Sequence, residues 1–301
     1  MTLRGRPVTP PSLSRRRLIA LGAAGLIAGP ARAAAETAAA IDWAMLETAL
    51  ALGIPMVAGA ELVLYRKFVI EPALPPQTAD LGLRGGINFE VLRRAAPSLI
   101  LSSPWYTRIE PNLRRIAPVL SLRIHERGRD PYEAAEAAAL ELGRRFGRDA
   151  AAEALIRETR DELAQTARAL AERSQPPLFV ITIGDPRHFR VFGDDSMVGA
   201  VLKRLGLLNA WARQTSYSVQ APVDIVALAD NADAAIAILA PVPDDARRVL
   251  PQSAIWQNLP AVRAERVMVL DPVNHFGGLP AARRLGRLLH IALSGGAPGL
   301  G

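Results

Sequence analysis

Chemistry in this 301-residue chain has to be built from arginine, aromatic and carboxylate side chains, because cysteine is absent and histidine occurs only four times. Without cysteine there is no disulfide framework, thiolate metal site or catalytic thiol. His125, His188, His275 and His290 are scattered without metal-ligand spacing. Each reads as structural or exposed, although a site can still assemble from them in three dimensions. The G-x-S-x-G elbow, the Walker phosphate loop, G-x-G-x-x-G and H-E-x-x-H are all missing. The carboxylate pairs Asp194-Asp195 and Asp244-Asp245 stand beside Gly193 and Pro243 and read as solvated turn residues. Nothing in these motifs argues for catalysis.

Polar and aromatic residues at the ends of expected strands say more. Arg84 lies in Gly82-Leu83-Arg84-Gly85-Gly86, a flexible loop that lets a guanidinium reach inward. It either reaches into a cleft or pairs with a surface carboxylate. Trp105-Tyr106 follows an apolar run at 99–102, at the strand end where open α/β sheets present binding groups. An arginine fork beside a phenol suits an oxygen-rich, negatively polarised ligand.

The elements that would position these residues alternate. Residues 42–52 read as a helix stopped by Gly53 and Pro55, and 88–94 as a helix with an Asn88 cap. Short apolar strands are expected at 55–60, 99–102 and 119–124. Helices over 131–146 and from an Asp149 cap to about 173 follow, the second about 36 Å long at 1.5 Å per residue. The alternation restarts after Ser174-Gln175-Pro176-Pro177, with strands at 178–183, 234–239 and 266–270 and helices at 198–205 and 279–293. Two α/β lobes on one long connecting helix imply a cleft between them. The expected divisions are 34–146, 147–175 and 176–293, with a disordered tail over 294–301.

The first 33 residues read as an export signal. Arg15-Arg16-Arg17 precedes about 12 apolar residues, and Ala31-Arg32-Ala33 supplies a small-residue cleavage site. That run is too short for a bilayer, which needs about 20 residues. The whole chain carries +7, but arginines 4, 6, 15, 16, 17 and 32 account for all but one of those charges. The basic excess therefore belongs to the signal, and a nucleic-acid partner loses its support. A soluble, untethered periplasmic protein is expected, exported by the twin-arginine route.

Several phrases, in order, resemble one family: Asp42-Trp43 with Glu47, Tyr65-Arg66, Glu71-Pro72, Leu74-Pro75, Gly82-Leu83-Arg84 and Pro97-Ser98. Arg115-Ile116-Ala117-Pro118, Asp185-Pro186-Arg187-His188, Val191-Phe192-Gly193 and Asn209-Ala210-Trp211 continue the series. Together they are similar to the periplasmic ferric-hydroxamate siderophore-binding proteins of ATP-driven iron importers, over about residues 41–293. The resemblance implies an α/β fold of two Rossmann-like three-layer lobes joined by a single long helix, as in class III periplasmic binding proteins. It implies no enzyme activity and no intrinsic cofactor or metal ligand, the ligand being an iron(III)-siderophore chelate. Arg84 and Tyr106 match the family's hydroxamate-gripping positions, and Phe68 and Trp105 would wall the pocket. It further implies delivery to an inner-membrane ABC importer permease by a monomer, with Glu110 and Asp230 as docking carboxylates.

The chain departs from the family on its C-terminal side. Tyr217-Ser218 stands where a tryptophan is usual, and Asn274-His275-Phe276 replaces a more aromatic run. That wall should be more polar, and a smaller or mixed carboxylate–hydroxamate chelator fits it. Alternatives are a haem or cobalamin carrier on the same plan, with His275 as an iron ligand, and a periplasmic enzyme using the cleft.

Overall fold

The computed structural model describes residues 1, 36–213, 215, 219–296 and 299. Apart from Met1, the expected export signal lies outside the described residues, as do Tyr217, Ser218 and the end of the tail. Glu36–Gly301 forms one compact unit.

The first half builds a five-stranded parallel sheet from β1 (Ala38–Ala40), β2 (Met56–Gly59), β3 (Ala79–Asp80), β4 (Leu99–Ser102) and β5 (Val119–Ser121), in the order β3-β2-β1-β4-β5. Both faces of a parallel sheet are covered, so β4 reads Leu-Ile-Leu-Ser without polar alternation and is buried throughout. Helix α1 (Trp43–Ala51) is started by Asp42, whose carboxylate accepts from the N–H groups of Ala44 and Met45. Helix α2 (Leu62–Phe68) follows β2, and α3 (Phe89–Ala95) carries the expected Asn88 cap.

Two long helices follow: α4 (Pro131–Phe146), capped by Asp130, and α5 (Asp149–Ala171), 23 residues and about 35 Å long, which leads into the second half. Asp149 was expected to cap α5; Arg148 holds that position instead, and Asp149 is the first helical residue, where its charge complements the positive helix end. One stripe of α5 (Ala152, Leu155, Ile156, Thr159 and Leu163) is buried.

The second sheet contains β6 (Leu178–Ile183), β7 (His188–Phe192), β8 (Val219–Asp224), β9 (Ala235–Leu239) and β10 (Val267–Leu270), in the order β10-β9-β6-β7-β8. A repeat of the first plan was expected, but this sheet is mixed: β7 runs antiparallel to β6 and β8. Asp185 causes the reversal. Its carboxylate accepts from the N–H groups of Arg187 and His188 and closes a tight turn straight after β6. Helices α6 (Met197–Arg204) and α7 (Leu279–Ile291) are the longest of this half. Past α7 the chain continues as a wider turn over Ala292–Gly296, broken at Gly295 with φ 89°.

A continuous apolar core joins the two sheets through α1, α4, α5 and α7, and separate clusters cover their far faces. At Gly286 of α7 a Cβ would lie 2.5 Å from Leu163 Cδ2 of α5, so a larger residue there would push the Leu163 side chain aside. Charges reinforce the seam. Arg284 and Arg287 of α7 both pair with Glu71 of the first lobe, while Arg283 and Arg287 pair with Glu162 of α5 at 2.8 and 3.1 Å. Among the described residues no helix is long and apolar enough to cross a membrane.

Candidate functional site

A cleft of about 750 Å³ opens where the carboxyl ends of the strands of both sheets face one another. Trp43, Leu64, Phe68 and Arg84 line it from the first lobe. Thr182, Asp185, His188, Arg190, Asn274 and His275 are among its residues from the second.

Arg84 is fixed from three sides. Its Nε donates to Glu61 Oε2 at 2.7 Å and its backbone N–H to Glu61 Oε1 at 3.1 Å. Its guanidinium carbon stands 4.1 Å from the centroid of the Trp43 ring, a cation–π contact. Glu61 can reach because it sits in the left-handed region, φ 53°, directly after β2. That conformation costs a non-glycine residue about 1–3 kcal/mol, and the bond from its N–H to Gly82 O at 2.8 Å helps hold it. Trp43 is pinned in turn by its Nε1 donating to Ala60 O at 2.9 Å. The half-buried Tyr106 phenol lies within the field of Arg84. Burial, then the Asp42 charge, pushes that phenol up to about 12, with Arg84 opposing both, so it stays protonated and able to donate.

The remaining aromatics sort differently from expectation. Trp105 stacks on His125 at 5.7 Å, and Phe276 meets both rings edge-on at 5.4 and 5.6 Å. Trp105 and His125 border a small void beside Asp42 and Ser103, not the main cleft. Phe276 packs in this interlobe cluster, so it supports the wall behind His275, which it touches at 4.7 Å. His125, expected to be structural or exposed, is half-buried, and its Nε2 donates to Gly277 O at 3.2 Å. Burial first lowers its affinity for a proton.

His275 lines the cleft as a neutral imidazole. Burial, reinforced by Arg190, His125 and Arg84, pushes its pKa down to about 3. Asn274 is held from below by Glu47 of α1, whose carboxyl accepts from Asn274 Nδ2 at 3.1 Å and from the Gly278 N–H at 2.6 Å. Glu47 is completely enclosed, and burial raises its pKa to about 8 against the effect of these donors.

Sequence reasoning missed Glu61, the partner that orients Arg84, and Arg190. The first had no local signal, since 23 residues separate the pair. The second did: period-two alternation in His188-Phe189-Arg190-Val191 puts His188 and Arg190 on one face. Of the expected docking carboxylates, Glu110 pairs with Arg114 one helical turn on and Asp230 with Arg213. Among the described residues no group of three His, Cys, Asp or Glu side chains is placed to hold a metal ion.

A match to the periplasmic binding protein family covers residues 39–273, nearly the whole two-lobed unit. The chain belongs to that family. It is 32% identical over 295 residues to the iron(3+)-hydroxamate-binding protein FhuD of Escherichia coli (strain K12), covering 95% of this chain and 99% of the relative. The resemblance read from the ordered phrases is therefore to the right group. The structure of Vibrio cholerae FhuD bound to Fe3+–Desferal superposes with a TM-score of 0.82 at 23% identity, covering 88% of this chain and all, 100%, of that one. A periplasmic heme binding protein from Pseudomonas aeruginosa superposes with a TM-score of 0.68 at 22% identity, over 88% and 95% of the two chains. These likenesses establish the two-lobed class III fold.

Proposed function

We propose that this member of the periplasmic binding protein family is exported through the twin-arginine route and captures an Fe(III)-hydroxamate-type siderophore in its cleft. It then delivers the chelate, as a monomer and without turnover, to an ABC importer permease. The observation that carries the reading is the fixed Arg84: its guanidinium is held by Glu61, backed by Trp43 and close enough to influence the Tyr106 phenol, and it faces the cleft. Hydroxamate oxygens on iron are negatively polarised, and charge-assisted donors grip them about twice as strongly as neutral ones. Trp43 and Phe68 cover the apolar part of a chelator. The identity to the Escherichia coli ferric-hydroxamate-binding protein, along nearly the whole of both chains, supports the same ligand class. The seam of ion pairs and apolar core between the lobes favours small motions on binding. Glu110 and Asp230 would exchange their present arginines for those of the permease, which steers encounter more than it sets affinity.

The test is a tryptophan-fluorescence titration with ferric hydroxamates and haem. Saturable quenching by a ferric hydroxamate at micromolar or lower concentration is expected. Haem is the second reading, favoured by one observation: His275 presents a neutral imidazole, the ligating form, to the cleft. A Soret shift abolished by His275→Ala would establish it in place of the first.

A further inference from the structure

Strand β7 presents two faces. Phe189 and Val191 are buried in the core cluster under the second sheet, whereas His188 and Arg190 line the cleft. Across the ladder Arg190 is paired with Thr182, another lining residue, so the guanidinium rises from the floor of the second lobe. It is half-buried.

The other charged groups at the cleft are already engaged. Arg84 has Glu61. Asp185 has His188 Nδ1 at 2.9 Å and the two N–H groups of its own turn. Arg190 has no carboxylate partner among the described residues, and those include every aspartate and glutamate of the chain. A half-buried cation keeps its charge by keeping its water, and a ligand that covers it must supply a counter-charge or leave it unsolvated.

Ligand chemistry then decides. Three singly charged hydroxamates neutralise Fe(III), so their chelate offers Arg190 no net charge. A chelate in which an α-hydroxycarboxylate replaces one hydroxamate is an anion, and its carboxylate matches the planar guanidinium fork. On the siderophore reading above, we infer that Arg190 is the specificity-determining residue of the cleft and that the ligand is an anionic, carboxylate-bearing ferric chelate.

The experiment titrates the purified full-length chain by tryptophan fluorescence at low salt with two probes. One is the uncharged ferric complex of a cyclic trihydroxamate; the other is the anionic ferric complex of a citrate-centred dihydroxamate. The wild-type chain should bind the anion at least about tenfold more tightly, and Arg190→Leu should weaken that binding about 10–100-fold. The same variant should bind the uncharged chelate within about threefold of wild type, which also shows that it is folded, and Arg190→Lys should recover part of the preference. Equal affinity of the wild type for both probes, or an equal loss on both in Arg190→Leu, would overturn the inference. Binding of the uncharged chelate alone would overturn it too while leaving the siderophore reading intact. If neither probe binds, the siderophore reading itself fails and takes the inference with it.

Discussion

On the wall of the cleft built by the first lobe, Arg84 is engaged before any ligand arrives, by Glu61 and Trp43. On the wall built by the second lobe, Arg190 has no counter-ion among the described residues, His275 is neutral, and the Asn274 amide is held by Glu47. The contrast separates two jobs. A pre-oriented donor loses little freedom on binding and suits the part of the ligand that every ferric hydroxamate shares. A cation still surrounded by water distinguishes one ligand from another, because only a ligand of opposite charge replaces that water. Grip and choice thus sit on different lobes.

The contrast can be broken most severely at Arg84. Arg84→Ala should weaken binding of charged and uncharged chelates alike by about 2–4 kcal/mol in the fluorescence titration. An effect confined to anionic chelates would move the choice to the first wall and erase the distinction.

Glu47→Gln tests how the second wall is held on the first. The folded-state pKa of Glu47 is raised to about 8 from 4.5, mainly by burial. The stability it contributes is complete below pH 4.5 and is lost as pH rises through about 8. The glutamine variant should lack this slope, so that between pH 5 and pH 8 its unfolding free energy, read from urea curves, falls less than that of wild type, by on the order of 3 kcal/mol. Identical slopes in both proteins would show that Glu47 is ionised in its enclosure.

A smaller effect is expected at Glu61→Gln, which removes the charge that orients Arg84 but keeps an acceptor. Affinity should drop by about 1 kcal/mol for both classes of chelate, with the thermal midpoint nearly unchanged. His275 should give the smallest change. Its pKa is depressed from 6.5 to about 3, so the stability tied to it is present above pH 6.5 and lost as pH falls through about 3. His275→Gln should make the acid unfolding curve shallower in that window and change chelate affinity by less than about threefold.

Much of the frame was legible in the chain. Strand–helix alternation, the Asn88 cap and the long helix after Gly147 are local features, set by residues within a few positions of one another. The reversal of β7 was local too, carried by Asp185 and its turn, but the resemblance between the halves hid it. The site divides the same way. Arg84, Phe68, Asn274 and His275 were named from sequence and the cleft contains them, whereas Trp105 and Phe276 meet each other around His125 instead. Aromatic residues are read from sequence as binding walls, yet whether a ring faces solvent or another ring depends on segments that meet only when the lobes close.

By itself the sequence determined the longer helices and about half of the strands, that two α/β units flank a long helix, and that a chain without cysteine would bind through arginine, phenol and aromatic groups. Only the tertiary structure decided which charges are taken. Glu61 finds Arg84 across 23 residues, Glu71 finds Arg284 and Arg287 across more than 200, and Arg190 finds no carboxylate. A side chain's type is written in the sequence, but its pairing depends on distance in space, and electrostatic energy falls off over a few ångströms while chain separation spans the whole molecule.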